Sequence, residues 1–500
     1  MSLAIVYTRA KFGIDAPPVT VEVHLSNGLP AFNIVGLPET AVKESKDRVR
    51  SAIINSHFEF PSRRITINLA PADLPKEGGR YDLPIALGIL AASKQIPIEP
   101  LSKYEFLGEL ALTGAIRPIQ GSLSAAIKCS EAGRALVIPT ENSGEATLCR
   151  TGTIFCARNL LQLSAHLHSR ELLTPEIFSA ITSESLKYPD LDEVRGQPQA
   201  RRALEISAAG GHNIIFCGPP GTGKTMLASR LPGILPPLTQ QEMLEVATVF
   251  SISDNRGQDF YQRPFRNPHH TASAVALVGG GSHPKPGEIS LAHHGILFLD
   301  ELPEFQRQVL EVLREPLESG EIMISRASQQ VRFPAKFQLV AAMNPCPCGY
   351  YGDNKRACRC TPDRIRRYRE KISGPLIDRI DIQLNVSRLP AKLLRESSER
   401  IENSEHVLSR VIKARKKQLS RAGKINAALT IKELESFCLL DNVNQNLLEN
   451  AVNKLNLSPR AYHRILRVAR TIADMEEADT IASKHLLEAT GYRALDRNNI

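Results

Sequence analysis

From the start of the chain to about Ala165, short apolar runs alternate with turn-forming residues. "RITINLAP" has the period-two spacing of a half-buried strand, and "RALVIPTEN" reads as a strand leaving into a turn. Between them, after Gly78 and Gly79, "DLPIALGILAAS" is too long and too uniformly apolar for a strand, and it reads as a buried helix. The pattern predicts a mixed α/β domain over residues 1–166. Over 167–189 the periodicity fades in "HSRELLTPEIFSAITSESLKYPD", which predicts a linker with some helical content.

The pattern sharpens at "RRALEISAAGGHNIIFCGPPGTGKTMLASRL". A helix ends at Gly210 and Gly211, the strand "NIIFC" follows, then a glycine-rich loop, then the helix "KTMLASRL". Two further apolar runs, "GILFLDE" and "FQLVAAMNP", read as buried parallel strands, each with polar residues at its carboxyl end. An alternating stretch before the last of them, "EIMISRASQQVRFPAK", reads as two short strands joined at Ala327 to Gln329. The fold class is multidomain α/β.

The chemistry concentrates on those strand ends. Gly218-Pro219-Pro220-Gly221-Thr222-Gly223-Lys224-Thr225 has glycine, four residues, then Gly-Lys-Thr, between a strand and a helix. That is the context in which backbone N–H groups and a helix N-terminus cradle phosphates. Lys224 is placed to reach the outer phosphates of ATP and Thr225 to put its hydroxyl on Mg²⁺. Asp300 then holds the Mg²⁺ through water, and Glu301 polarises the attacking water. Asn344, after the third strand, positions that water.

Composition narrows the setting. The 500 residues are 42% hydrophobic and 23% charged, as in soluble globular proteins. No apolar run approaches the roughly 18–20 residues of a membrane helix, and no secretion signal is read at the start. A cytoplasmic protein is expected, with its nine cysteines reduced. Four of them, Cys346, Cys348, Cys358 and Cys360 in "CPCGYYGDNKRACRC", form two C-x-C pairs that could wrap one structural Zn²⁺. The net charge of +9 includes two dense basic runs, Lys355–Lys371 and Ser409–Lys424, which beside a nucleotide site point to a polyanion.

Phosphate loop, "LFLDE", "AAMNP" and "SGPLIDRID", in this order, resemble an AAA+ ATPase. The stretch "RPFRNPHHTASAVALVGGGSHPKPGEISLAHHGILFLDELPEF" resembles the magnesium-chelatase branch of that superfamily. With "NLAPADLPKEGGRYDLPIALGIL" the chain is identified as similar to the bacterial ComM/YifB group along essentially its whole length. The resemblance implies a Lon-protease-like α/β domain (1–166), an AAA+ core with a parallel sheet (190–390) and a C-terminal helical lid (391–500). It implies a homohexameric ring motor on single-stranded or branched DNA, driving branch migration or unwinding in transformation or recombination. A chelatase-type motor acting on a partner protein for metal insertion is the alternative.

Several roles come only with that resemblance. Arg379 matches the arginine finger that serves a neighbouring subunit. Arg460 matches the second sensor of the lid, with Arg464 as its rival. The 321–336 stretch resembles a hairpin that projects into the channel of related rings, where Arg326 and Arg332 would face a nucleic-acid backbone. The N-terminal domain resembles the Lon protease fold without its serine–lysine dyad. Arg80 falls where the serine would be, and Leu123, or Ser124 with a gap, where the lysine would be. The expectation is a binding or assembly module.

Overall fold

The computed structural model describes residues 2–37, 39, 42, 44–178, 188–253, 260–281, 284–326, 329–388, 402–455, 457–493 and 495; the side chains of Ser2, Arg326 and Gln329 lie outside that description. The chain divides into two compact units. The first holds residues 1–183, joined by 240–260 and 325–333; the second holds 184–239, 261–324 and 334–500.

In the first unit, β1 (Ser2–Arg9), β2 (Pro18–Ser26), β3 (Ala31–Val35), β4 (Arg64–Ala70) and β5 (Tyr104–Phe106) are the first strands of a seven-stranded sheet. β6 (Glu109–Leu110) and β7 (Ile116–Arg117) form a separate ribbon, and β8 (Ala135–Pro139) and β9 (Ile154–Ala157) complete the sheet. Its order is β3-β4-β2-β1-β5-β8-β9, antiparallel around β2 and parallel elsewhere. The apolar helix is Asp82–Ala92, and all eleven of its residues are buried. Gly88 lets it lie close on the sheet, since a Cβ there would stand 2.5 Å from Val23 Cγ2. After helix Leu160–Leu167 the described part of the expected linker is not helical: Pro175 bridges to Phe155 of β9. Residues 179–187 of that stretch lie outside the described residues.

Buried charge in this unit meets carboxylates or backbone carbonyls. Arg9 Nε donates to Glu105 at 2.6 Å, and Arg134 reaches the same carboxylate at 3.2 Å. Arg80 is fully enclosed, and burial pushes its pKa down. It donates to the backbone carbonyls of Arg9 and Gln120. The position that would carry a protease nucleophile therefore holds a structural pin between two loops. Ser124 Oγ, at the other dyad position, is buried with no partner among the described residues. Neither aligned position carries the residue of a serine–lysine dyad.

In the second unit, β10 (Ile214–Cys217), β11 (Phe265–Arg266), β14 (Ile296–Leu299), β17 (Gln338–Met343) and β18 (Ile382–Asn385) form an all-parallel sheet, ordered β11-β14-β17-β10-β18. Every residue of β10, β14 and β17 is buried, as both faces of a parallel sheet are covered. β12 (Gly279–Gly280) and β13 (Lys285–Pro286) make a small ribbon. β15 (Glu321–Arg326) and β16 (Gln329–Pro334) make the expected hairpin, and Gln329 already belongs to its second strand. Residues 325–333 of that hairpin pack with the first unit, where a Cβ on Gly13 would meet Val331 Cγ1 at 2.2 Å.

Among the described residues, five helices close the chain: Ser404–Ala422, Ile431–Phe437, Asn442–Lys454, Pro459–Met475 and Ser483–Gly491. Asn403, Thr430, Asp441 and Ser458 cap the first four by accepting a backbone N–H. The helices share one apolar core with the parallel sheet. Three arginines of the second basic run are engaged within the fold, while Lys413 and Lys416 are exposed. Arg410 pairs with Glu205 and Glu402, Arg415 donates to the Ala208 carbonyl, and Arg421 pairs with Asp474. Their stems and charges go into packing this helical region, because an amphipathic helix turns half of its residues inward.

Asp381, just before β18, anchors the last long helix. It is buried and ion-paired to Arg464, with the His212 ring 3.6 Å away and the Asn213 N–H donating at 3.0 Å. Against the desolvation that raises it, the Arg464 guanidinium holds its carboxyl well below the usual range. Removing one partner of such a pair strands the other. Arg464→Ala should destabilise the second unit by about 3–5 kcal/mol. Arg460→Ala, at an exposed position, should stay within about 0.5 kcal/mol of wild type in the same denaturant titration. Equal midpoints for the two variants would refute this.

Candidate functional site

Four loops meet at the carboxyl ends of the parallel strands, the edge where open α/β sheets bind ligands. The phosphate loop leaves β10. Gly218 is required there because a Cβ would stand 2.2 Å from the Val386 carbonyl oxygen. Gly223 (φ +84°) opens the helix Lys224–Ile234. Thr222 Oγ1 donates to the Pro219 carbonyl at 3.0 Å and pins the loop internally.

Lys224 is buried, and desolvation lowers its pKa although Asp300 and Glu301 oppose this. Its ammonium donates to the Gly218 and Pro219 carbonyls at 2.8 and 3.0 Å, and to Asn344 Oδ1 at 3.1 Å. An ammonium drawn back onto backbone carbonyls is poised to exchange them for phosphate oxygens. Thr225 Oγ1 donates to Asp300 Oδ2 at 2.7 Å, which brings together the hydroxyl and the carboxylate that could share one Mg²⁺. The other Asp300 oxygen accepts the Glu301 N–H at 2.8 Å. Glu301 sits at φ +51°, a conformation uncommon outside glycine, just past the end of β14.

Glu301 also has a partner that sequence reasoning missed. His270 Nδ1 lies 3.3 Å from Glu301 Oε2. His270 follows β11, and because β11 pairs parallel with β14 the two strand ends deliver both residues to one edge. Its ring lies tilted against that of His269, 4.1 Å between centroids. The signal available was "NPHH" immediately after a strand.

The arginines separate. Arg379 is buried, donating to the Pro375 carbonyl at 2.7 Å and pairing with Glu318 at 2.5 Å. Desolvation lowers its pKa, Glu318 opposes this, and Arg460, Arg314 and Arg464 lower it further. Arg460 is exposed, whereas its rival Arg464 is held by Asp381. Arg332 is exposed on β16 between buried Val331 and Phe333. Arg326 ends β15, and its side chain lies outside the described residues.

The four clustered cysteines converge, with their sulfurs all within 4.8 Å of one another. Cys346 Sγ is 3.4 Å from Cys348 Sγ and 3.7 Å from Cys358 Sγ, and the Cys360 N–H donates to Cys358 Sγ at 3.4 Å. Against desolvation, which raises it, the backbone N–H groups of Arg359 and Tyr350 hold the Cys348 thiol well below its ordinary value. Four converging thiols with N–H donors to sulfur fit a tetrahedral thiolate-bound metal.

A phosphate loop, an Asp-Glu pair and an asparagine on neighbouring parallel strands, followed by a helical region, define a P-loop ATPase of the AAA+ class. Family comparison agrees. The magnesium chelatase, subunit ChlI family matches residues 190–394, the subunit ChlI of Mg-chelatase family matches 21–142, and the ChlI C-terminal family matches 401–493. The chain is 54% identical over 503 residues to the competence protein ComM of Haemophilus influenzae, covering 99% of this chain and 98% of that one. It is 53% identical over 499 residues, with the same coverage, to the uncharacterized protein YifB of Salmonella typhimurium. A partial likeness, 26% over 191 residues, covers 33% of this chain and 34% of Lon protease 2 of Bacillus subtilis. The chain belongs to the ComM/YifB family of magnesium-chelatase-like AAA+ proteins, a family that implies ATP and Mg²⁺.

Proposed function

We propose that this chain is one subunit of a homohexameric, ATP-driven ring motor that acts on DNA in the cytoplasm, driving branch migration or unwinding in transformation or recombination. The observation that carries the reading is the strand-end constellation of Lys224 with Asn344 and Thr225 with Asp300, beside Glu301. In this reading the phosphate loop and Lys224 hold the phosphates of ATP, and Thr225 and Asp300 hold Mg²⁺, which supplies charge neutralisation on the phosphates. Glu301 polarises the water and Asn344 positions it. Arg379 serves a neighbouring subunit, Arg460 senses nucleotide from the lid, and Cys346, Cys348, Cys358 and Cys360 hold a structural Zn²⁺.

DNA as the polymer is supported by the first basic run. Lys355, Arg356, Arg359, Arg364, Arg366 and Arg367 are exposed on and before the helix Pro362–Arg369. Arg326 and Arg332 of the hairpin would add backbone contacts. The competence name of the Haemophilus relative points the same way. The test is ATPase of the purified protein with and without branched DNA, beside strand-exchange and binding assays. Binding to DNA should fall with salt at a log–log slope of roughly −0.7 to −0.9 per phosphate neutralised. No stimulation by DNA, with binding flat in salt, would favour the chelatase-type motor acting on a partner protein.

A further inference from the structure

The loop that carries the four cysteines, 346–360, contains no strand or helix. Its internal backbone hydrogen bonds are turns, such as Gly349 N–H to the Cys346 carbonyl at 2.9 Å and Asp353 N–H to Tyr350 at 3.1 Å. A loop this irregular has little of its own to set its shape, and a metal held by four thiolates would supply that order.

What the loop touches is the phosphate loop. Cys346 lies two residues beyond Asn344, the residue that accepts from Lys224, and is fully buried beside Cys217, the last residue of β10 before Gly218. Gly349, at φ +83°, lies so close under the phosphate loop that a Cβ would stand 2.7 Å from Pro220 Cδ. A second hold comes through Arg388. Its guanidinium donates to the Pro220 carbonyl at 3.4 Å, pairs with Asp353 at 3.3 Å and lies over the Tyr350 ring at 5.5 Å. Tyr350 and Asp353 both belong to the cysteine loop, so two independent contacts connect its shape to Pro220.

We infer that the four-cysteine site is a zinc-dependent brace of the nucleotide loop, so that ATP affinity requires the metal. This rests on the reading of the cysteines as a zinc site and of Lys224 as the phosphate ligand. Zinc held by Cys346, Cys348, Cys358 and Cys360 fixes Gly349 and Tyr350; these fix Pro220 and Arg388, and the carbonyls that Lys224 leaves on binding phosphate stay in register. By thermodynamic reciprocity, bound nucleotide should also tighten zinc binding.

The test uses the full chain purified without chelator, with metal content measured by mass spectrometry and affinity measured with a fluorescent ATP analogue and Mg²⁺. Wild type should carry about one zinc per chain. The Cys358→Ser, Cys360→Ser double variant should lose the zinc and bind the analogue about tenfold or more weakly, a difference of about 1.4 kcal/mol or more. Gly349→Ala should keep its zinc and still show the tenfold loss, which covers the case in which the double variant misfolds. Lys224→Ala should lose the analogue and keep the zinc, and saturating nucleotide should raise the chelator concentration needed to strip zinc from wild type at equilibrium. Wild-type protein without metal, a folded zinc-free variant that binds nucleotide normally, or normal binding by Gly349→Ala would each overturn the inference. Wild type that carries zinc yet binds no nucleotide would instead overturn the ATPase reading.

Discussion

Glu301→Gln protein should bind ATP with wild-type affinity and hydrolyse it about 10²- to 10⁴-fold more slowly, the loss expected when a positioned base is removed. The amide keeps the size of the side chain and leaves Lys224, Thr225 and Asp300 untouched, so the phosphates and Mg²⁺ keep their ligands. Lys224→Ala should fail earlier, at binding. The ammonium now shared among the Gly218 and Pro219 carbonyls and Asn344 is the cation available to the outer phosphates inside this loop. Equilibrium binding of an ATP analogue and single-turnover hydrolysis separate the two defects. Equal nucleotide affinity in wild type and Lys224→Ala would sink the assignment.

Arg379→Ala should cost about 10³-fold or more in hydrolysis, as loss of a transition-state arginine does, while leaving its own subunit's nucleotide ligands intact. Arg379 is buried against Pro375 and paired with Glu318. Service to a neighbour therefore requires that Glu318 be exchanged for the neighbour's phosphate charge, and the side chain is held ready by a pair that the exposed Glu318 can give up. Subunit mixing tests it. Glu301→Gln kills its own site and still offers an intact arginine; Arg379→Ala does the reverse. Mixed and allowed to exchange, they should regain hydrolysis above either parent, because some interfaces join an intact site to an intact arginine. Mixed rings that form yet never exceed either parent would remove Arg379 from the interface.

The elements were legible wherever the signal is local. "RITINLAP", "DLPIALGILAAS", "NIIFC", "GILFLDE" and "FQLVAAMNP" each appear as the strand or helix their pattern predicts, within a residue or two at the ends. Burial on one or both faces leaves its mark on consecutive residues. The strand–loop–helix around Lys224 is local in the same way, since the glycines answer to the backbone itself. The basic runs show where this reading stops. Both are dense in Arg and Lys, yet Arg364, Arg366 and Arg367 face solvent while Arg410, Arg415 and Arg421 are spent on Glu205, the Ala208 carbonyl and Asp474.

The amino-acid sequence by itself determined the α/β class, the phosphate loop, the acidic pair at one strand end and the asparagine at another, because period, turn chemistry and glycine placement act over a few neighbouring residues. Only the tertiary structure decided which partners those residues meet. His270 reaches Glu301 because β11 pairs with β14. Arg464 rather than Arg460 is locked, because the buried carboxylate of Asp381, just before β18, pairs with it. Arg80 ties the backbone at Arg9 to that at Gln120 from the core of the first unit. The cysteine loop lies on Pro220, where a Cβ on Gly349 would stand 2.7 Å from Pro220 Cδ. Each of these contacts joins positions distant along the chain, and their geometry follows from strand order and helix packing, which no short window of residues encodes.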